Sequence, residues 1–147
     1  MADQIKYSER CREYEEIEIG ETASIAKTIT MEDVQKFASI IDDSNPVHLD
    51  PEYARTTMFG GPIAHGMHSA AFFTTLIANR LPGIKGVYVS QAIKFLRPVH
   101  IGDTIESRAE VTAKNDVKQR ITLKTTAFNQ KGEMVVDGEA IIAVMRK

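Results

Sequence analysis

The chain has 147 residues, of which 43% are hydrophobic and 26% charged, and its net charge at pH 7 is −2. This length and composition predict one soluble globular domain over residues 1–147, because a second hydrophobic core would have too few residues. Lys and Arg are scattered along the chain instead of forming a basic patch, so we expect no nucleic-acid partner.

Cysteine content and hydropathy bear on where the protein works. Cys11 is the only cysteine, which excludes an internal disulfide and a cysteine-rich metal site. The first 20 residues lack the apolar core of a signal peptide and contain the acids that transit peptides avoid. The longest apolar run, after Ile63, is interrupted by histidine, serine and threonine and is too short to cross a bilayer. We therefore expect a cytoplasmic protein that does not associate with membranes.

The N-terminal quarter of the chain predicts an arm followed by two strands. Residues 1–13 are mostly charged and polar, which is typical of a terminal arm or a frayed end. Four isoleucines then follow a period-two pattern on either side of Gly20, and this alternation predicts two short strands. These isoleucines are Ile17, Ile19, Ile25 and Ile29.

Two helix starts follow the predicted strands. Thr30 and Asp33 have the spacing of a capping box, and the apolar residues after them recur at helical intervals. This pattern predicts an amphipathic helix that ends close to Asp43. Asp50, followed directly by proline, predicts a second N-cap and a short helix to about Thr57.

The second half of the chain predicts one long helix and then a series of strands. No Asp, Glu, Lys or Arg occurs between Ile63 and Asn79, so we expect this helix to be buried around most of its girth. Alternating apolar residues predict strands over 87–95, 104–113, 121–127 and 134–144. An uncharged helix beside consecutive antiparallel strands predicts an α+β domain whose curved sheet wraps a central helix.

The stretch over residues 42–66 contains the candidate chemistry. Asp43 and His48 are five residues apart, and Asn45 stands before a proline between them, a position that disfavours helical geometry. We interpret this segment as a shaped loop that holds a carboxylate and an imidazole. Further on, Gly66 stands at the start of the uncharged helix. The stretch thus offers an acid/base pair and a helix N-terminal amide, which suits the binding of an anion.

Three motifs together resemble the R-specific enoyl-CoA hydratases of the MaoC-like dehydratase family. They are D-x-N-P-x-H from Asp43, P-I-x-H-G-M ending at Met67, and F-L-R-P-V-H-I-G-D from Phe95. The resemblance covers about residues 30–111 and implies a hot-dog fold, in which a curved sheet wraps one helix, and a homodimer or larger homo-oligomer. One departure is that Asp42 precedes the catalytic aspartate where the family usually has glycine. Aspartate tolerates a left-handed backbone better than most residues, so we expect the turn to persist.

The resemblance also implies an activity and a role for each site residue. Asp43 and His48 would bind one water, and the Gly66 amide would bind the thioester carbonyl, for the reversible syn hydration of a trans-2-enoyl thioester in fatty acid metabolism. Asn45 is counted with the substrate-binding candidates, although we expect its side chain to brace the loop. Lys94 and Arg97 are candidates for the coenzyme A phosphates.

Several alternatives stay open at this point. The acyl group could be carried by coenzyme A or by acyl carrier protein, and a hot-dog thioesterase could use the same helix amide. A non-catalytic acyl-thioester binding module would need the groove but not both Asp43 and His48. We expect no redox cofactor and no metal, because no acid or cysteine stands near His65 and His68 in the sequence. His65 is expected to brace the helix start rather than to react.

Overall fold

The computed structural model describes residues 11–146 and contains one five-stranded sheet. The strands lie in the order β1-β3-β4-β5-β2, and every neighbouring pair is antiparallel. All four strands predicted in the second half of the chain are confirmed, with small shifts at their ends. The strands are β1 Thr22–Thr28, β2 Gly86–Phe95, β3 Thr104–Asn115, β4 Arg120–Phe128 and β5 Met134–Val144.

The helix predicted before these strands packs on one face of the sheet. It runs over Gly66–Asn79, and we call it α4. Phe73 and Leu76 on this helix are completely buried, as are Val111 and Leu123 on β3 and β4. The main core therefore lies between α4 and the sheet, and the α+β hot-dog arrangement that the sequence predicts is confirmed.

Within residues 11–146, three α-helices precede α4, namely α1 Met31–Ile41, α2 Pro46–Leu49 and α3 Pro51–Arg55. Both predicted caps are present. Thr30 Oγ1 accepts from the Asp33 N–H at 3.1 Å, and Asp33 Oδ2 accepts from the Thr30 N–H at 3.1 Å. Asp50 Oδ1 accepts from two N–H groups of the first turn of α3, and this helix ends two residues earlier than predicted.

The expected burial of α4 around most of its girth is wrong for the single chain. Six of its residues are buried, but Met67, Ala71, Thr74, Thr75 and Ala78 are exposed. The uncharged composition therefore reflects two different faces, one that covers the sheet and one that is left open in the single chain.

The first of the two predicted N-terminal strands is also absent. Tyr14–Glu16 forms a 3-10 helix, Ile17 is buried at its end, and Ile19 is 63% exposed. The period-two pattern does not mark a strand here because only Ile17 faces the core, whereas Ile19 faces solvent.

The predicted N-terminal arm falls largely on residues 1–10, which lie outside the described residues. Residues 11–13, by contrast, are attached to the body of the protein. Cys11 forms an isolated antiparallel β-bridge with Gly83, and Arg12 forms an ion pair with Glu21. Within residues 11–146, no helix is both long enough and apolar enough to cross a membrane.

Candidate active site

Asp43 follows directly after the turn that ends α1. Asp42 is the C-cap of this helix, with φ 55° and ψ 29°, so the left-handed conformation expected at this position is confirmed. The N–H groups of both Asp42 and Asp43 donate to the Ala38 carbonyl. This pair of bonds closes the helix and fixes the direction in which the chain leaves it.

Asn45 connects Asp43 to the segment that carries His48. The Asn45 N–H donates to Asp43 Oδ1 at 3.1 Å, and Asn45 Oδ1 accepts from the Val47 N–H at 3.1 Å as an N-cap. Because Pro46 takes the first helical position, the chain turns at once into α2. The expectation of a loop is thus only half right, since His48 lies on this short helix. The contacts give Asn45 the bracing role expected for it.

Hydrogen bonding orients the His48 ring. A carbonyl can only accept, so His48 Nδ1 carries the proton that it donates to the Ile63 carbonyl at 2.7 Å. In the neutral ring Nε2 is then left as an acceptor, which can take a hydrogen bond from water. The ring is nearly buried, at 9% exposure, so this orientation is fixed by packing as well.

The third motif of the sequence holds the segment that leads into α4. Ile63 and His100 form an antiparallel bridge, and the Ala64 N–H donates to the Val99 carbonyl at 2.8 Å. His100 Nε2 donates to the Phe59 carbonyl at 3.1 Å. The motif that begins at Phe95 therefore fixes the start of α4 and, through Ile63, the orientation of His48.

The fold brings Asp43, His48 and His65 into one cluster. One side-chain ligand atom of each lies within 4.8 Å of the others. The sequence places no acid near His65, but the fold brings Asp43 to it, so the donor set of a metal site is present. The His48 and His65 rings are not oriented to bind one metal ion together, because their centroids are 3.8 Å apart and their planes are inclined by only 27°. An ion bonded at about 2.0–2.1 Å in one ring plane would lie well outside the other.

Gly66 is the first residue of α4 and follows this cluster in the chain. The His65 carbonyl accepts from the N–H groups of His68 and Ser69, which leaves those of Gly66 and Met67 for a ligand. A Cβ at position 66 would lie 3.0–3.3 Å from the Phe95 ring. A side chain at position 66 would therefore have to displace the Phe95 ring by a few tenths of an ångström.

Comparisons with known proteins agree with this geometry. Residues 15–131 match the family described as MaoC like domain. An (R)-specific enoyl-CoA hydratase of Rhodospirillum rubrum is 43% identical over 131 residues, which are 89% of this chain and 90% of the relative. A 3-hydroxybutyryl-CoA dehydratase of Methylorubrum extorquens is 40% identical over 134 residues, 91% of this chain and 85% of the relative. R-hydratase PhaJ1 of Pseudomonas aeruginosa, solved in the unliganded form, superposes with a TM-score of 0.87 at 44% identity, covering 91% and 86% of the two chains.

The chain belongs to the MaoC-like family. The matched region begins at Glu15 and includes the Asp43/His48 pair, Gly66 and the whole motif that begins at Phe95. The resemblance carried by the three motifs is therefore confirmed at the level of the family and the fold.

Two clefts adjoin the start of α4 in this MaoC-like chain, near the cluster of Asp43, His48 and His65. One, of about 260 Å³, is lined by Gly66, Ser69, Phe95 and Arg97. The other is a larger and mostly apolar groove of about 640 Å³ between α1, the exposed face of α4 and β2. Its walls include Phe37, Ile41, Met67, Ala71, Tyr88 and Ile93. The clefts lie on either side of the start of α4, which suits a ligand that passes the Gly66 amide.

Arg97 and Lys94, the two basic candidates for phosphate binding, lie in different surroundings. Arg97 lines the cleft beside Gly66 and lies 3.5 Å from Glu133 in a half-exposed ion pair. Lys94 is exposed on β2, between Ile93 and Phe95, which face the two clefts. Side chains alternate along a strand, so Lys94 points to the opposite face of the sheet. This placement favours Arg97 over Lys94.

Sequence reasoning gave too little weight to three contacts in this site. The ring stacking of His65, the Phe95 ring over Gly66 and the hydrogen bond from His100 to Phe59 all join residues far apart in the chain. The single available signal was the spacing of the motifs, which showed that these segments belong together but not which atoms meet.

Proposed function

We propose that this chain is an R-specific 2-enoyl-CoA hydratase that also dehydrates 3-hydroxyacyl-CoA in the reverse direction. One observation carries the proposal: the fold brings the Asp43 carboxylate and the His48 imidazole together beside the N-terminus of α4. The two relatives, named as an (R)-specific enoyl-CoA hydratase and a 3-hydroxybutyryl-CoA dehydratase, support it.

Asp43 and His48 act on one water molecule. The neutral His48 ring offers Nε2 as an acceptor, and the Asp43 carboxylate has Oδ1 held by the Asn45 N–H. One group takes a proton from the water as its oxygen bonds to the β-carbon of the enoyl thioester. A proton returns from the same cluster to the α-carbon, so Asp43 and His48 end the step in the protonation states in which they began. Each group contributes on the order of 10²–10⁴-fold in rate.

The start of α4 stabilises the charge that develops during this step. As water attacks the β-carbon, electron density moves to the thioester oxygen. The Gly66 N–H lies at the positive end of a 14-residue helix and lacks an intrahelical partner. Donors of this kind typically contribute roughly 10²–10³-fold in rate.

The reaction adds water without oxidation or reduction, so the chemistry itself requires no redox cofactor. We likewise assign no metal to the cluster, because the imidazoles of His48 and His65 are stacked in planes inclined by only 27°, so an ion in the plane of one ring would lie outside the plane of the other. Both assignments stay proposals, as does the cytoplasmic location expected from the sequence.

The acyl chain and its carrier occupy the two clefts in this proposal. The apolar groove beside Met67 takes the acyl chain, and the cleft that contains Arg97 takes the pantetheine arm, with Arg97 near a phosphate. The same layout accepts acyl carrier protein, whose acyl group is held on the same arm. The carrier is therefore decided by surface contacts beyond the clefts.

We also infer that two copies associate through β2 and α4, so that the second copy covers the open side of the apolar groove and leaves its interior to the acyl chain. β2 is an edge strand, and three consecutive residues on it, Val87, Tyr88 and Val89, are exposed. The exposed face of α4 beside it is uncharged, and Met67 on this face is 57% exposed. An open edge next to an apolar surface favours pairing with a second copy.

Purified protein mixed with crotonyl-CoA tests the function. The absorbance of the conjugated thioester should fall, and a thiol reagent should detect almost no free coenzyme A. Rapid thiol release, above all from a saturated acyl-CoA, would instead establish a thioesterase. Binding of crotonyl-CoA without any loss of absorbance would establish a non-catalytic binding module.

A further inference from the structure

The His65 imidazole contacts both groups that are proposed to bind the catalytic water, yet no step of the proposed reaction uses it. Its side chain is almost fully buried, with 3% exposure. The ring stacks on His48 with centroids 3.8 Å apart. Its Nε2 lies 3.3 Å from the Asp43 carbonyl oxygen and 3.7 Å from Asp43 Oδ2. His65 thus touches both members of the pair.

The contact with Asp43 fixes the tautomer of His65. Since a carbonyl only accepts, Nε2 carries the proton and donates it to Asp43. Nδ1 is then a buried acceptor that has no hydrogen-bond partner among residues 11–146. Burial lowers the pKa of His65. This agrees with a ring that stays neutral and whose single N–H donates to the Asp43 carbonyl.

A second ring also packs against His65. The Phe37 ring of α1 packs against it with centroids 5.2 Å apart and planes inclined by 55°. His65 therefore contacts one residue of α1 and one residue of α2, while its Nε2–H donates to the Asp43 carbonyl in the segment that joins these two helices. Its direction is fixed by packing as well as by hydrogen bonding.

We propose that His65 is a positioning residue, whose ring and Nε2–H set the separation of the Asp43 carboxylate from the His48 imidazole. The inference rests on the proposed hydratase function and deepens it. Two groups that share one water must be held within a fraction of an ångström, since a displacement of about 1 Å can cost on the order of 10²-fold in rate.

Three variants distinguish the effect of the His65 hydrogen-bond donor, the effect of its ring and the general effect of replacing a buried histidine. His65→Phe keeps an aromatic ring in contact with His48 and Phe37 but removes the donor, and His65→Gln keeps a donor of similar reach but removes the ring. His68→Phe is the matched control. His68 is also buried and stacks on Phe37 at 4.7 Å, but it contacts neither Asp43 nor His48 among residues 11–146.

We expect His65→Phe to lower kcat for crotonyl-CoA by about 10- to 100-fold, with KM changed by less than about twofold, because positioning acts on the reacting geometry and not on substrate binding. His65→Gln should regain part of this loss, and His68→Phe should keep kcat within about twofold of the parent protein. If His65→Phe does not fold, His65→Leu replaces it with the same expectation. A kcat that is unchanged in the donor-free variant, or an equal loss in His65→Phe and His68→Phe, would overturn the proposal.

A second measurement is independent of turnover. Amide hydrogen exchange over residues 43–48 should be faster in His65→Phe than in the parent protein and unchanged in His68→Phe. If the parent protein does not hydrate crotonyl-CoA, the proposed function fails, and the exchange result still decides whether His65 positions this segment. Equal exchange in all three proteins would overturn that role.

Discussion

The Asp43 carboxylate is held on one side and open on the other. Its Oδ1 accepts from the Asn45 N–H, while the side chain remains 44% exposed. Asp43→Asn removes the charge but keeps an oxygen for this hydrogen bond, so the loop should persist. We expect kcat to fall by about 10²–10⁴-fold, and His48→Gln should have a similar effect because the Nε2 acceptor is lost. Steady-state hydration of crotonyl-CoA measures both.

Asp42→Asn is the matched control for this prediction. Position 42 is left-handed, at φ 55°, and asparagine tolerates that conformation at least as well as aspartate. We expect this variant to keep kcat within a few-fold of the parent protein, since Asp42 is exposed and outside the cluster. An inactive Asp42→Asn beside an active Asp43→Asn would place the catalytic carboxylate one residue earlier.

Much of the site could be predicted at this scale because its bonds are local. The D-x-N-P-x-H spacing encodes the bond from Asn45 to Asp43, the cap by Asn45 and the proline start of α2. The role of His65 could not be predicted in the same way. Its contacts to Asp43 and His48 cross 22 and 17 residues and depend on how α1, α2 and α4 pack.

Among the elements, the 3-10 helix Tyr14–Glu16 is fastened to the β3–β4 hairpin by Lys114. Lys114 Nζ donates to the carbonyls of Tyr14 and Ile17 at 3.1 and 2.6 Å and lies 4.3 Å from the centre of the Tyr14 ring. The Tyr14 hydroxyl donates to Asp116 at 2.7 Å, and burial, followed by this bond, raises the pKa of Tyr14 to about 12.

Lys114→Met should therefore destabilise the fold without a direct effect on the site. It keeps most of the apolar stem but leaves two carbonyls without their donor, for which we expect a loss of about 2 kcal/mol in the free energy of unfolding. Lys118→Met, on the same hairpin but exposed, should change it by less than about 0.5 kcal/mol. Urea unfolding measures both. Equal effects of the two substitutions would show that Lys114 does not fasten the segment.

The elements also show why the N-terminal segment was misjudged. Its charged residues indicated a free arm, but Lys85 contacts Glu13 and Arg12 contacts Glu21, so these charges fasten the segment to the body. A charge pattern shows that a residue is polar, but it does not show whether the partner is water or a distant side chain. The caps at Thr30 and Asp50 were predictable because their partners lie within three residues.

For the whole molecule, the open face of α4 and the β2 edge predict a homodimer. The sequence showed that α4 is uncharged, but it could not show that only one of its faces meets its own sheet. Sedimentation at micromolar concentration should give about twice the 16.3 kDa of one chain. Val89→Lys places a charge on the exposed edge and should favour the monomer, whereas Val117→Lys, exposed on the β3–β4 turn, should not. A monomer of the unmodified chain would contradict the inferred dimer.

The stability of the molecule should also depend on pH through its buried histidines. Burial lowers the pKa of His68 and of His65 below the ordinary value of 6.5. Below pH 6.5 the unfolded chain therefore binds more protons than the folded one. The contribution of the neutral buried histidines to the free energy of unfolding is complete above pH 6.5. It is lost as the pH falls from 6.5 towards the lowered pKa, at no more than about 1.4 kcal/mol per pH unit for each histidine.

His68→Phe isolates one of these contributions, since the ring can still stack on Phe37. Urea unfolding between pH 7.5 and 5.5 should give a smaller loss of stability for this variant than for the parent protein. The same slope in both proteins, or a parent protein that gains stability as the pH falls, would contradict the predicted role of the buried rings.

The stereochemistry of hydration tests the central claim most directly. With the thioester carbonyl on the Gly66 amide, a planar enoyl group shows one face to the water of Asp43 and His48, so oxygen and proton arrive from the same side. The choice of R over S comes from the similarity to R-specific hydratases. Crotonyl-CoA is hydrated in the presence of NAD and either an S-specific or an R-specific 3-hydroxyacyl-CoA dehydrogenase. Our account predicts that the enone absorbance falls in both reactions but that NADH forms only with the R-specific enzyme. Stoichiometric NADH with the S-specific enzyme would contradict it.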